Sequence, residues 1–151
     1  MKYKYNYLKS TMIFCVIGFI IPGFTAMLLF GTQFILQRLG VECTTTWKAL
    51  WVLSWIGMLF LPVLFYKSLK KKETESYDKL KTNLIFFNFL EYIFMQTALS
   101  IFFTKANTLC YVSDGQNGIE LVFTAWLSLP VLMIFSYIFE YHTETTISSD
   151  K

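Results

Sequence analysis

The sequence predicts an all-α fold, an integral membrane bundle of four transmembrane helices with both chain ends in the cytosol. Two observations lead to this prediction. Hydrophobic residues make up 55% of the 151 residues and charged residues only 15%, whereas ordinary globular chains carry about 25% charged residues. The charges are also concentrated in one central run, residues 67–81, with long apolar stretches on both sides. A soluble domain rarely exposes apolar surface of this extent, whereas lipid would cover it.

Four apolar segments are long enough to cross a bilayer as helices, because a hydrocarbon core of ~30 Å needs ~20 helical residues. The predicted spans are residues 11–33, 49–66, 82–104 and 120–139. The remaining segments are a cytosolic loop at 67–81 and a polar C-terminal tail at 140–151. We interpret residues 1–151 as a single domain.

The first two spans carry residues that shape or locate them. Pro22 lacks a backbone N–H and is expected to kink the first span. Gly18 is small enough to allow close contact with a neighbouring helix. Trp47, Trp51 and Trp55 mark the outer end of the second span, because indole rings favour the membrane interface.

The third and fourth spans are joined by a short outer loop, residues 105–118, with Asp-Gly and Asn-Gly turn signals. The third span is rich in phenylalanine and contains one acid, Glu91. The fourth opens at Glu120, where a carboxylate suits the positive end of the helix dipole. Pro130 lies in its middle.

The placement of lysine and arginine predicts the orientation. Ten of the 13 basic residues fall on the side that holds both chain ends and the loop 67–81. Arg38, Lys48 and Lys105 fall on the other side. Because cytoplasmic segments carry the excess of basic residues, both ends are predicted to be inside. The short loops favour an up-down-up-down bundle.

Glu91 is the sharpest single signal for function, since it lies near the middle of the predicted third span. A carboxylate at that depth is costly unless it is neutralised or hydrogen-bonded. Asn88 precedes it by three positions and shares its helical face. Three interpretations stay open: a structural acid bonded to Asn88 or to a hydroxyl group, a polar contact between subunits, and a proton or cation site. The hydroxyl candidates are Ser54, Thr124 and Ser128.

Cys43 and Cys110 fall in the two predicted outer loops, one in each. If the outside is an oxidising compartment such as a bacterial periplasm, a disulfide between them is possible. The alternative is two unrelated thiols. The chain has no closely spaced cysteine pair, so no redox motif or zinc knuckle is indicated.

The loop 67–81 is the candidate segment for binding a partner. Lys70, Lys71 and Lys72 alternate with nearby acids, which oppose a pure lipid clamp, and Tyr77 adds an aromatic ring. This mixed patch favours docking of a cytosolic protein. Binding of anionic headgroups and a purely topological role are the alternatives.

Chemistry-bearing motifs are missing from the sequence. A single histidine offers neither a metal site nor a catalytic triad, and there are no paired carboxylates or phosphate loop. We therefore expect no enzymatic activity, no cofactor and no metal. Without a basic groove interleaved with aromatic residues, direct nucleic-acid binding is not expected.

The plan of four spans, both ends inside and no catalytic motif resembles the KwaA family, the small membrane subunits of the Kiwa anti-phage defence system. The resemblance covers the whole chain as a layout. It implies a non-enzymatic scaffold or sensor in the bacterial inner membrane. It also implies a homo-oligomer, a tetramer in that family, which recruits the cytosolic DNA-binding effector KwaB.

Two other functions remain open. Membrane immunity proteins against pore-forming bacteriocins are similarly small, multi-span and rich in Phe and Ile, and here Asn88 and Glu91 would face the toxin. A small proton- or cation-coupled transporter or channel would use Glu91 in its ion pathway.

Overall fold

The computed structural model describes residues 6–71, 77–111 and 119–149, with side chains described except at 23, 70–71, 77–78 and 142–149. Within these residues the chain is helical and contains no strand, which confirms the predicted all-α class. The helices are α1 Tyr7–Ile20, α2 Gly23–Arg38, α3 Cys43–Lys71, α4 Tyr77–Ser100, α5 Ala106–Tyr111 and α6 Ile119–Ser149.

Two of the described helices are long and apolar enough to cross a membrane, α3 over Cys43–Leu69 and α6 over Ile119–Tyr141. α1 and α2 meet that description only as a pair bent by 71°, either a broken span or a re-entrant loop. α4 is less apolar, because Asn88, Glu91 and Gln96 lower its mean hydropathy. The described chain therefore has two helices, or three with the bent pair, that are able to span a membrane.

The break between α1 and α2 lies at Pro22. Proline donates no N–H, so the carbonyl of Gly18, four residues earlier, loses its helical donor. At this break, side chains from other helices donate to the backbone carbonyls instead. The Tyr92 hydroxyl donates to the Gly18 carbonyl oxygen at 3.4 Å, and Trp126 Nε1 donates to the Phe19 carbonyl oxygen at 3.2 Å. The kink expected at Pro22 is thus a complete break, held by α4 and α6.

α4 is the central helix and packs against α3, α6 and α1. Phe65 of α3 stacks on Phe87 of α4 with ring centroids 4.5 Å apart, and Phe139 of α6 meets Phe87 edge-on at 5.4 Å. Further along, Trp51 Nε1 of α3 donates to Ser100 Oγ of α4 at 3.0 Å. Gln96 Nε2 of α4 also donates to the Leu121 carbonyl oxygen of α6. Both α3 and α6 are therefore antiparallel to α4.

The core has two ends, which we name by the features beside them. The connector end, beside the charged run 67–81 that joins α3 to α4, is built from Tyr7, Leu84, Phe87 and Phe139. The disulfide end, beside a disulfide between Cys43 and Cys110, is built from Ala26, Leu29, Cys43, Trp47, Trp51, Ala106, Leu109 and Leu121. The middle contains Cys15, Tyr92, Met95, Ala125, Leu129 and Leu132. The start of α1, the end of α3, the start of α4 and the last part of α6 therefore share the connector end.

α6 continues beyond the predicted fourth span. The sequence assigns residues 140–151 to a separate polar tail, but the helix runs on to Ser149. Neither glycine nor proline follows Pro130, so no strong breaker ends the helix earlier. At 1.5 Å per residue, the helical residues after Tyr141 project about 12 Å beyond the apolar segment.

Candidate functional site: a buried polar seam on α4

Polar side chains line the buried face of α4, and we call them the α4 polar seam. Its members are Asn88, Glu91, Gln96, Thr97 and Ser100, each no more than 1% exposed. α4 can hold these residues because α1, α3 and α6 pack around it. Since a buried polar group without a hydrogen bond is costly, the chemistry of the seam depends on which groups have partners.

Asn88 joins three helices on the side of the seam nearer the connector end. Its Nδ2 donates to Thr11 Oγ1 of α1 at 2.9 Å. Thr11 Oγ1 in turn lies 2.5 Å from Ser136 Oγ of α6, in a hydrogen bond between the two hydroxyl groups. All three side chains are buried. Asn88 therefore helps to hold α1, α4 and α6 together.

A second network lies nearer the disulfide end. Gln96 Nε2 donates to the Leu121 carbonyl oxygen of α6 at 2.9 Å. Ser100 Oγ accepts from Trp51 Nε1 of α3 and donates to the Thr97 carbonyl oxygen at 2.7 Å. This network connects α4 to α3 and α6.

Glu91 lies between the two networks in sequence and hydrogen-bonds to neither. It is 0% exposed, and neither carboxylate oxygen has a hydrogen-bond partner within the described chain. Asn88 Oδ1 and Gln96 Oε1 are also buried without a donor there. Each of these amides uses its NH2 group to bond another helix. The seam thus concentrates acceptor oxygens that lack donors.

The hydroxyl groups suggested as Glu91 partners bond elsewhere or do not reach it. Thr124 Oγ1 donates to the Leu121 carbonyl oxygen at 3.1 Å, and Ser128 Oγ donates to that of Thr124 at 2.9 Å. Ser54 is buried but makes no hydrogen bond to Glu91. Full burial within one chain also means that Glu91 faces its own bundle rather than a surface open to a second copy.

Cys43 and Cys110 are joined by a disulfide, with their Cα atoms 6.0 Å apart. The bond ties the start of α3 to α5 across 67 positions of sequence. Gln33 Nε2 of α2 donates to Cys43 Sγ at 3.3 Å. The disulfide therefore closes one end of the bundle and brings α2, α3 and α5 together.

Two of the tryptophans predicted at the membrane interface lie inside the protein instead. Trp47 is 0% exposed and Trp51 6%. Phe30 of α2 packs edge-on against Trp47 with ring centroids 5.5 Å apart. Both rings therefore pack against protein at the disulfide end, whereas Trp55 remains partly exposed.

The predicted partner-binding segment is only partly described. Lys72 lies outside the described residues, and so do the side chains of Lys70, Lys71 and Tyr77. The backbone of α3 ends at Lys71 and that of α4 begins at Tyr77. The segment therefore leaves and rejoins the bundle at the connector end.

Gly57 lies at a close contact between α3 and α4 that the sequence pattern did not predict. A Cβ atom on Gly57 would lie 2.6 Å from the ring of Phe94, so only glycine lets α3 approach α4 this closely. At Gly18, which was predicted to permit close packing, a Cβ atom would lie 3.2 Å from Leu129 Cδ2. The sequence did offer a signal for this contact, because a glycine within an apolar span permits two helices to approach closely.

Comparisons with protein-family models, with characterised proteins and with solved structures find no match to this chain. Among the described residues, no group of three or more His, Cys, Asp or Glu side chains is arranged to hold a metal ion. Any functional conclusion therefore starts from the seam, the two ends of the bundle and the charges around them.

Proposed function

We propose that this chain is a four-span protein of the bacterial inner membrane with both ends in the cytosol. It acts as a non-enzymatic scaffold or sensor that recruits a cytosolic effector. In this proposal the bent pair α1–α2 forms the first span, α3 the second, α4 the third and α6 the fourth. The enclosure of α4 supports its assignment, because neighbouring helices shield its polar seam from lipid.

The distribution of charge between the two ends supports the orientation. Basic residues of the described chain near the connector end are Lys9, Lys67, Lys79 and Lys81. Lys70, Lys71 and Lys72 of the connecting segment add to them. The excess of basic residues favours a cytosolic connector end. The disulfide then lies on the opposite side, where an oxidising compartment would maintain it.

The observation that carries the scaffold function is the continuation of helices past their apolar segments at the connector end. α3 runs to Lys71, α4 begins at Tyr77 and α6 extends to Ser149. The charged run in this part of the sequence is mixed, with Lys70, Lys71 and Lys72 close to Glu73, Glu75 and Asp78. A cytosolic protein with an acidic face would complement its excess of lysines.

The resemblance to the KwaA family extends this proposal to anti-phage defence. It adds a homo-oligomer, a tetramer as in that family, and a KwaB-like effector as the cytosolic partner. Its support is the shared layout of the chain. Lipid on the apolar faces and protein at the connector end are then the two kinds of partner.

The test compares two triple variants purified in mild detergent from a bacterial host that also expresses a KwaB-like effector. One carries Lys70→Ala, Lys71→Ala and Lys72→Ala. The matched control carries Arg38→Ala, Lys48→Ala and Lys105→Ala, which removes the same charge from the other side. We expect the control to retain the effector and the first variant to lose most of it.

Equal capture of the effector by both variants would contradict docking at the connector end. Reporter fusions within residues 72–76 and 112–118 check the orientation separately, with the first segment expected inside and the second outside. Specific capture of a pore-forming toxin in place of an effector would favour an immunity function instead.

A further inference from the structure

We propose that Glu91 is the anchor of a binding site for one small monovalent cation, either a proton or Na⁺. The carboxylate of Glu91, Asn88 Oδ1 and Gln96 Oε1 are buried acceptors without donors in the described chain. A cation taken up from solution would give these oxygens the partner that no described protein group provides. The site does not depend on the docking function proposed above.

The surroundings of Glu91 contain no positive side chain that could serve instead. Hydrogen bonds and side-chain contacts with α4 show which described segments of the other helices lie beside Glu91 along the bundle. These segments are residues 11–20 of α1, 57–65 of α3 and 121–136 of α6. None of these stretches contains Lys, Arg, His, Asp or Glu. An ion pair within the bundle is therefore not available to Glu91.

The titratable groups at this level are Cys15 and Tyr92, and both donate to backbone carbonyls. Cys15 Sγ donates to the Leu129 carbonyl oxygen at 3.6 Å, and the Tyr92 hydroxyl donates to that of Gly18 at 3.4 Å. Neither hydrogen is therefore directed to Glu91. An ionised carboxylate buried without a partner is strongly disfavoured, so the folded protein favours the cation-bound form.

Two of the helices that pack against α4 also contain a proline. Pro62 lies inside α3 and Pro130 inside α6. Because proline has no N–H, Pro62 leaves the Met58 carbonyl without its helical donor, and Pro130 does the same to the Trp126 carbonyl.

The experiment measures the melting temperature of the full chain in detergent by the fluorescence of its four tryptophans. Mildly alkaline choline chloride is the reference. Two changes are made separately: choline is replaced by Na⁺ at constant ionic strength, or the pH is made mildly acidic. We expect the native chain to gain roughly 5 °C in at least one case. A gain with Na⁺ identifies a sodium site, and a gain with acid alone identifies a proton site.

Glu91→Gln should abolish the gain, because the amide is neutral in every condition. Glu91→Met is the second variant, with an apolar side chain of similar length, and should abolish it as well. Glu42→Gln is the matched control: Glu42 precedes α3, where it accepts from the hydroxyl groups of Thr44 and Thr45, and the gain should persist. An unresponsive native chain, or an unchanged gain in either Glu91 variant, would overturn the site.

Discussion

α4 and α2 distribute polar and apolar side chains in opposite ways. α4 turns its polar seam into the protein and is enclosed by three other helices. α2 exposes large apolar side chains, namely Phe24, Met27, Leu28, Phe34 and Ile35, at 41–74%. In water, burying polar side chains and exposing apolar ones both cost free energy, whereas a bilayer tolerates apolar side chains on the protein surface and disfavours polar groups there. The contrast shows why the hydropathy of a helix alone does not tell whether it is buried in this chain.

The largest expected effect comes from a charge on the exposed face of α2. Met27 is 74% exposed and is flanked by apolar residues. If lipid covers this face, Met27→Lys should cost about 3 kcal/mol, the scale for a lysine at the centre of a spanning helix. Membrane insertion measured by carbonate extraction, followed by unfolding in detergent, checks this prediction.

Gln37→Lys is the control for this charge, because Gln37 is already polar and exposed near the end of α2. It should insert as the native chain does. Equal behaviour of Met27→Lys and Gln37→Lys would mean that α2 does not present its apolar face to lipid, and the contrast with α4 would lose its basis.

The next effect concerns how closely helices approach α4. Gly57→Ala would force a Cβ atom against the ring of Phe94, and we expect a loss of about 2 kcal/mol from overpacking. Gly31→Ala on α2 meets nothing within 4 Å and should be neutral or slightly stabilising. Unfolding midpoints of the two variants in a denaturing detergent give the comparison. Similar midpoints would show that α3 and α4 are not closely packed at Gly57.

A smaller effect is expected for amide groups on the two helices. Asn88→Leu removes the donor to Thr11 and should cost about 1.5 kcal/mol. Gln37→Leu removes an exposed amide that accepts from Gln33, and its effect should stay within about 0.5 kcal/mol. Thermal unfolding of both variants measures the difference. Costs of equal size would argue that Asn88 is not buried in a network.

The smallest effect concerns the link between α4 and the break before α2. Tyr92→Phe removes the hydroxyl that reaches the Gly18 carbonyl and should cost only about 0.5 kcal/mol. Hydrogen exchange should nevertheless rise at amides around Pro22. Tyr111→Phe on α5, with an exposed ring, is the control and should leave that exchange unchanged. The same exchange in both variants would remove Tyr92 from the support of the break.

The all-helical class was predictable because it depends on composition and on the length of apolar segments, both of which are local. The position of the helix break was also predictable, since Pro22 itself removes the donor. The bend of 71° was not. Its supporting bonds come from Tyr92 and Trp126, which lie 74 and 107 positions from their acceptors.

The candidate site was likewise only partly predictable from the sequence. Asn88 and Glu91 were recognised together because three positions along a helix place them on one face. The partners of Asn88 are set by the packing of α1 and α6, so neither Thr11 nor Ser136 was identifiable from spacing. Gln96 lies farther round the helix, yet it is fully buried because α4 is enclosed on several sides.

The covalent link between Cys43 and Cys110 has a consequence for how the chain matures. It can form only after both sulfurs have reached an oxidant, and the reducing interior of a cell does not supply one. If the protein has the orientation proposed above, a molecule inserted the other way round would keep both thiols free. In a variant without the free thiol of Cys15, alkylation before and after reduction would then count the molecules that reached the proposed orientation in a newly synthesised population.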